Sequence, residues 1–187
     1  MFESWEDLKV PDTQVHLIAL LYGFATILCI IFLQHFAWAP IQIRVSEALC
    51  IVALFSAVAI PELAAGCFVA NLLCMLLFGT IPEGFYDVIF GSIATACGAL
   101  WAFKFRERGV LFALMGFVIA NAFIVGAYLP FIVDNSFYVL GSFDFSDTYF
   151  TKLAFGIFAI GISESLSIYV LGIPIFMLLK KLDYHQI

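Results

Sequence analysis

Long apolar runs without a single charged side chain dominate this chain and leave it few solvents to fold in other than lipid. Residues 15–34 and 110–133 contain no Asp, Glu, Lys or Arg. A hydrocarbon core of about 30 Å is crossed by roughly 18 to 20 helical residues at 1.5 Å each. In lipid the backbone must satisfy its own hydrogen bonds, which leaves helices or a closed barrel. The runs are continuous rather than alternating, so the pattern predicts helices. Composition agrees: 64% hydrophobic, 12% charged, 22 Phe in 187 residues and a mean hydropathy of +1.10. A soluble domain is about 45–50% apolar and about 25% charged.

The expectation is an all-α integral membrane protein, one membrane domain over residues 1–187. Its six spans are placed near 15–34, 44–60, 62–78, 85–103, 110–133 and 150–180. Pro61 suits the first turn of a new helix and divides the second span from the third. Gly79-Thr80-Ile81-Pro82-Glu83-Gly84 breaks the chain before the fourth. An acidic N-terminal leader, residues 1–14, precedes a first span without a persuasive cleavage site, so that span is read as a retained helix rather than a signal peptide. Lys104, Arg106 and Arg108 lie between spans four and five, and Lys180 and Lys181 end span six. Six crossings with both termini cytoplasmic put all five inside, as the positive-inside rule prefers. Asp134, Asp144 and Asp147 then lie outside.

Other functions are poorly served. The net charge of −6 comes with no basic face for phosphates, so no nucleic-acid partner is expected. There is no G-x-x-x-x-G-K-[ST] loop for ATP, no H-E-x-x-H and no G-x-S-x-G elbow. Cys29, Cys50, Cys67, Cys74 and Cys97 fall within spans as small hydrophobes without a C-x-x-C pair. No cofactor, metal or catalytic residue is expected, and the chain is read as a non-enzyme.

Polar side chains at membrane depth are costly and should face a cavity or one another. Seven stand out as substrate-binding candidates: Gln42, Arg44 and Glu47 on span two, Asn71 on span three, Asp87 opening span four, Asn121 on span five and Glu164 on span six. Five helices thus bring polar groups that could converge on one pocket. Arg44 and Glu47, three apart, share a face and either neutralise each other or serve a ligand. Asp87 equally suits its own helix N-terminus, and both asparagines equally suit interhelical contacts.

Several blocks together carry a family resemblance. They are Pro40-Ile41-Gln42-Ile43-Arg44-Val45-Ser46-Glu47-Ala48-Leu49, Ala59-Ile60-Pro61, Gly66-Cys67 with Ala70-Asn71-Leu72, Asp87-Val88-Ile89-Phe90-Gly91-Ser92-Ile93-Ala94-Thr95, and Tyr169-Val170-Leu171-Gly172-Ile173-Pro174. The chain resembles the QueT family of queuosine-precursor transporters, the membrane substrate-binding (S) components of energy-coupling factor (ECF) transporters. Its Phe-rich fifth span and acidic fifth-to-sixth loop depart from that pattern.

The resemblance implies an S component in a prokaryotic plasma membrane that captures queuine or a related 7-deazaguanine from outside. Glu47 or Glu164 would accept the N–H donors of a guanine-like edge. Asn71, Gln42 or Asn121 would serve its carbonyl, and Asp87 a protonated aminomethyl group, with Arg44 orienting Glu47. The implied partners are a membrane scaffold subunit and two ATPases, with Ala19 and Gly23 as a small-x-x-x-small contact for the scaffold or within the bundle. Rival readings are an S component for another vitamin or base, a self-sufficient proton-coupled carrier using Glu164 or Asp87, and an intramembrane enzyme.

Overall fold

Six helical segments follow one another in a computed structural model that describes residues 12–32, 45–78 and 83–183. Residues 1–11 of the expected leader, Gln42, Arg44 and most of the break before span four lie outside the described residues, and residues 12–14 open the first helix. Helix α1 is Asp12–Phe32 and α2 is Val45–Leu54. Helix α3 is Ala59–Phe78, with Pro61 in its first turn, where a missing N–H costs no hydrogen bond. Helix α4 runs over 83–105 through Glu83–Tyr86, Asp87–Gly91 and Ser92–Phe105. Helix α5 is Val110–Ile132, and α6 covers 149–183 through Tyr149–Ser165, Leu166–Gly172 and Ile173–Asp183.

Among the described residues, four helices are long and apolar enough to cross a membrane: Ala59–Phe78, Gly84–Arg108, Val110–Ile132 and Tyr149–Lys181. Leu20, Leu77, Phe123, Phe158 and Met177 point out of the bundle and are exposed. So much outward apolar surface suits lipid and would be an aggregation liability in water. The chain is an all-α, multi-pass membrane protein.

The second span differs from expectation. Instead of 44–60, α2 stops at Leu54, and a turn at 55–58 leads into α3 at Ala59. It is wound as a 3-10 helix, whose rise of about 2.0 Å per residue gives ten residues a reach of roughly 20 Å. Burial on every side explains why so short an element persists. Cys50, Val52, Ala53 and Leu54 are fully buried, and α2 touches α1, α3, α4, α5 and α6. Gly172 of α6 permits one of these approaches, since a Cβ there would meet the Ala48 carbonyl oxygen at 3.3 Å and Ile51 Cγ2 at 3.0 Å.

Around this hub, α1 packs on α3, α3 on α4, α4 on α5 and α5 on α6. Between α5 and α6, a short hairpin pairs Val139 with Asp144 and Leu140 with Phe143. Its turn uses Gly141 at φ +63°, a left-handed conformation that a side chain disfavours. The hairpin follows Phe137 and Tyr138, which pack edge-on against Phe155 of α6.

Candidate functional site

Two apolar clusters sit at different heights along the bundle. One includes Phe117, Ile168, Ala99 and most of α2; the other includes Val125, Ile160, Ala94, Tyr128 and Phe137. On α5, Asn121 falls one turn from Phe117 and one turn from Val125. On α6, Glu164 falls one turn from Ile160 and one turn from Ile168. Asn121 and Glu164 therefore form a polar layer between two greasy ones.

Polar side chains pair up inside the bundle. Asn121 Nδ2 donates to Glu164 Oε1 at 3.1 Å and to the Phe117 carbonyl at 3.1 Å. The Glu47 carboxylate accepts from the Tyr22 hydroxyl at 3.1 Å and from the Cys50 thiol at 3.3 Å. Glu164 also lies within electrostatic range of Cys50. Tyr22 is likewise close to Cys67 and within hydrogen-bonding reach of Thr95. Asn71 Nδ2 donates to Cys67 Sγ at 3.3 Å and to the Asp87 carbonyl at 3.1 Å. Asp87 Oδ1 accepts from the Tyr128 hydroxyl at 2.5 Å. The five described substrate-binding candidates thus fall in three hydrogen-bonded groups: Glu47 with Tyr22 and Cys50, Asn71 and Asp87 with Cys67 and Tyr128, and Asn121 with Glu164. Glu47, Asn71, Asn121 and Glu164 are buried and Asp87 is half-buried.

The backbone leaves ordinary α geometry where it carries these groups. Glu47 and Cys50 lie on the 3-10 helix, Asp87 opens a π-helical segment that ends at Gly91, and a second π segment begins two residues after Glu164 and ends at Gly172. Such windings re-aim side chains and are common at functional sites. Gly91 has a local reason to be glycine, because a Cβ there would stand 3.3 Å from Asn71 Nδ2.

Sequence reasoning passed over Tyr22, Cys50, Cys67, Thr95 and Tyr128. Beside Asp87, the rings of Tyr86, Phe90 and Tyr128 lie about 6 Å apart, at 6.1, 5.9 and 5.8 Å between centroids. A carboxylate next to aromatic faces favours a cation. No group of three His, Cys, Asp or Glu side chains among the described residues is placed to hold a metal.

Away from this layer, Gly23 of α1 meets Gly66 of α3, where a Cβ would lie 3.4 Å from the Gly66 carbonyl oxygen. Both glycines line an open groove of about 480 Å³ between the two helices, together with Leu20, Phe24, Ala65 and Val69. At the groove His16 Nδ1 contacts the Glu62 carboxylate. The Ala19 side chain is outside the described part of the molecule.

Fold and site define a multi-pass membrane protein with polar groups buried inside its bundle, the plan of a transporter rather than of a soluble binder. A model of the QueT transporter family matches residues 13–181. The chain belongs to the QueT transporter family. No curated protein and no solved structure gives a significant match.

Proposed function

We propose that this transporter acts as the S component of an ECF-type importer and captures a queuosine precursor, queuine or a related 7-deazaguanine, from outside the cell. The observation that carries the reading is the set of hydrogen-bonded polar groups inside the bundle of a QueT-family chain. Two buried carboxylates, Glu47 and Glu164, stand on facing elements and Asp87 stands apart beside three aromatic rings. A guanine-like edge offers adjacent N–H groups that a carboxylate accepts in parallel. An aminomethyl substituent carries a cation that suits Asp87 and its rings. The energy comes from a scaffold subunit and two ATPases, because the sequence holds no phosphate-binding loop.

Uptake into reconstituted vesicles tests this reading. Accumulation of a 7-deazaguanine should require the partner subunits and ATP. Proton-driven accumulation by this chain alone would contradict it in favour of a carrier that uses the buried carboxylates as proton sites.

A further inference from the structure

Ser46 is fully buried, and its hydroxyl has no hydrogen-bond partner among the described residues. It is an exception among the helical hydroxyls. Thr26, Ser92, Thr95, Ser163, Ser165 and Ser167 each donate to the carbonyl four residues back, at 2.6 to 3.0 Å. Ser46 is the second residue of α2, so no carbonyl of its own helix lies four residues behind it. Buried polar groups almost always have a partner, and an exception next to a binding layer points to a ligand.

The neighbouring amides sharpen the point. An amide nitrogen has two hydrogens to donate. Asn71 directs its Nδ2 at the Asp87 carbonyl and Cys67 Sγ, and Asn121 directs its Nδ2 at the Phe117 carbonyl and Glu164. Backbone carbonyls can only accept, which fixes both amides in this orientation. Their N–H groups are therefore committed inside the protein, whereas the Ser46 hydroxyl, beside Glu47, is a buried donor without a partner among the described residues. The other such hydroxyl, on Tyr138, stands in the connection between α5 and α6. In a guanine-like edge the ring carbonyl lies beside the N–H groups that a carboxylate would accept. Successive side chains of a 3-10 helix diverge by about 120°, so a base held by both Ser46 and Glu47 lies across the start of α2.

We propose that the Ser46 hydroxyl donates to the ring carbonyl of the bound base, next to the Glu47 carboxylate that accepts its edge N–H groups. This rests on the deazaguanine reading above. The test is Ser46→Ala in the purified full chain, titrated with the 7-deazaguanine that the parent binds, with thermal unfolding measured alongside. Affinity should fall about tenfold, as expected for one lost hydrogen bond. The unfolding midpoint should stay level or rise, since an unpartnered hydroxyl has left the core. Ser46→Cys, which keeps a weaker donor, should lie between. Unchanged affinity in Ser46→Ala, or a lowered midpoint that reveals a structural partner for the hydroxyl, would overturn the proposal while parental binding keeps the substrate reading intact. A parent that binds no 7-deazaguanine would remove both.

Discussion

Asn121 and Glu164, forty-three residues apart in sequence, meet at 3.1 Å in the middle of the bundle. The contact fixes the rotation of α5 against α6 at the level where the two apolar clusters part. It also aims a carboxylate into the interior rather than at lipid. A second contact of the same kind, Tyr22 to Glu47, ties α1 to the buried α2. Together these two pairs hold the acidic groups on which the proposed chemistry depends.

Replacing either carboxylate by its amide tests that arrangement. Glu47→Gln or Glu164→Gln, at the group that holds the guanine edge, substitutes one acceptor and one mismatched donor for two acceptors. A hydrogen bond to a charged group contributes about 1.5–3 kcal/mol, so deazaguanine affinity should fall roughly 10- to 150-fold. Thermal stability should be retained, because a neutral amide is less costly than a carboxylate at membrane depth. The measurement is a binding isotherm for each variant beside its melting curve.

Asp87→Asn should act selectively. Ligands bearing a protonated aminomethyl group should lose affinity, and the neutral cyano form should bind nearly as the parent binds it, since only the cation loses an ion pair. Equal losses for both ligands would place the Asp87 carboxylate in helix packing through Tyr128.

The α5–α6 crossing gives a packing test independent of any ligand. A Cβ on Gly126 would stand 2.9 Å from both the backbone nitrogen and the Cα of Ile157. Neither atom can move without shifting the helix. Gly126→Ala should therefore destabilise the protein by about 1–3 kcal/mol, the usual cost of overpacking, read as a lower unfolding midpoint.

The all-helical, membrane-spanning character was legible in the sequence because lipid demands continuous apolar runs, and the buried acids and amides stood out because each is expensive there. Tyr22, Cys50, Cys67, Thr95 and Tyr128 escaped for the opposite reason. A phenol, thiol or hydroxyl is cheap to bury and looks like ordinary core. The short, 3-10 form of α2 was not legible either, since the apolar run continues past Leu54 and the helix is stabilised by neighbours on all sides rather than by its own propensity. Glycines end both π segments, a local sign of those windings. Ala19 and Gly23 suit either a scaffold contact or packing within the bundle, and Gly23 faces Gly66, with a Cβ there 3.4 Å from the Gly66 carbonyl oxygen. A bulky residue there would disturb the α1–α3 crossing itself.

Outside the membrane layer, burial pushes the Tyr138 hydroxyl up from 10.0 to about 12. Below pH 10 the phenol is protonated in both folded and unfolded chains. Between about pH 10 and 12 the unfolded phenol ionises first, so the folded state loses stability as pH rises. Tyr138→Phe removes a buried hydroxyl that has no partner among the described residues. It should flatten this alkaline loss without lowering the midpoint at neutral pH, as unfolding curves across that range would show.

The central claim, a 7-deazaguanine site built on the polar groups inside the bundle, is tested most directly by titrating the purified chain alone with queuine, the aminomethyl and cyano deazaguanines, guanine and biotin. The account predicts saturable binding of at least one 7-deazaguanine, tighter than guanine or biotin. Binding of an unrelated vitamin with no response to any deazaguanine would contradict it.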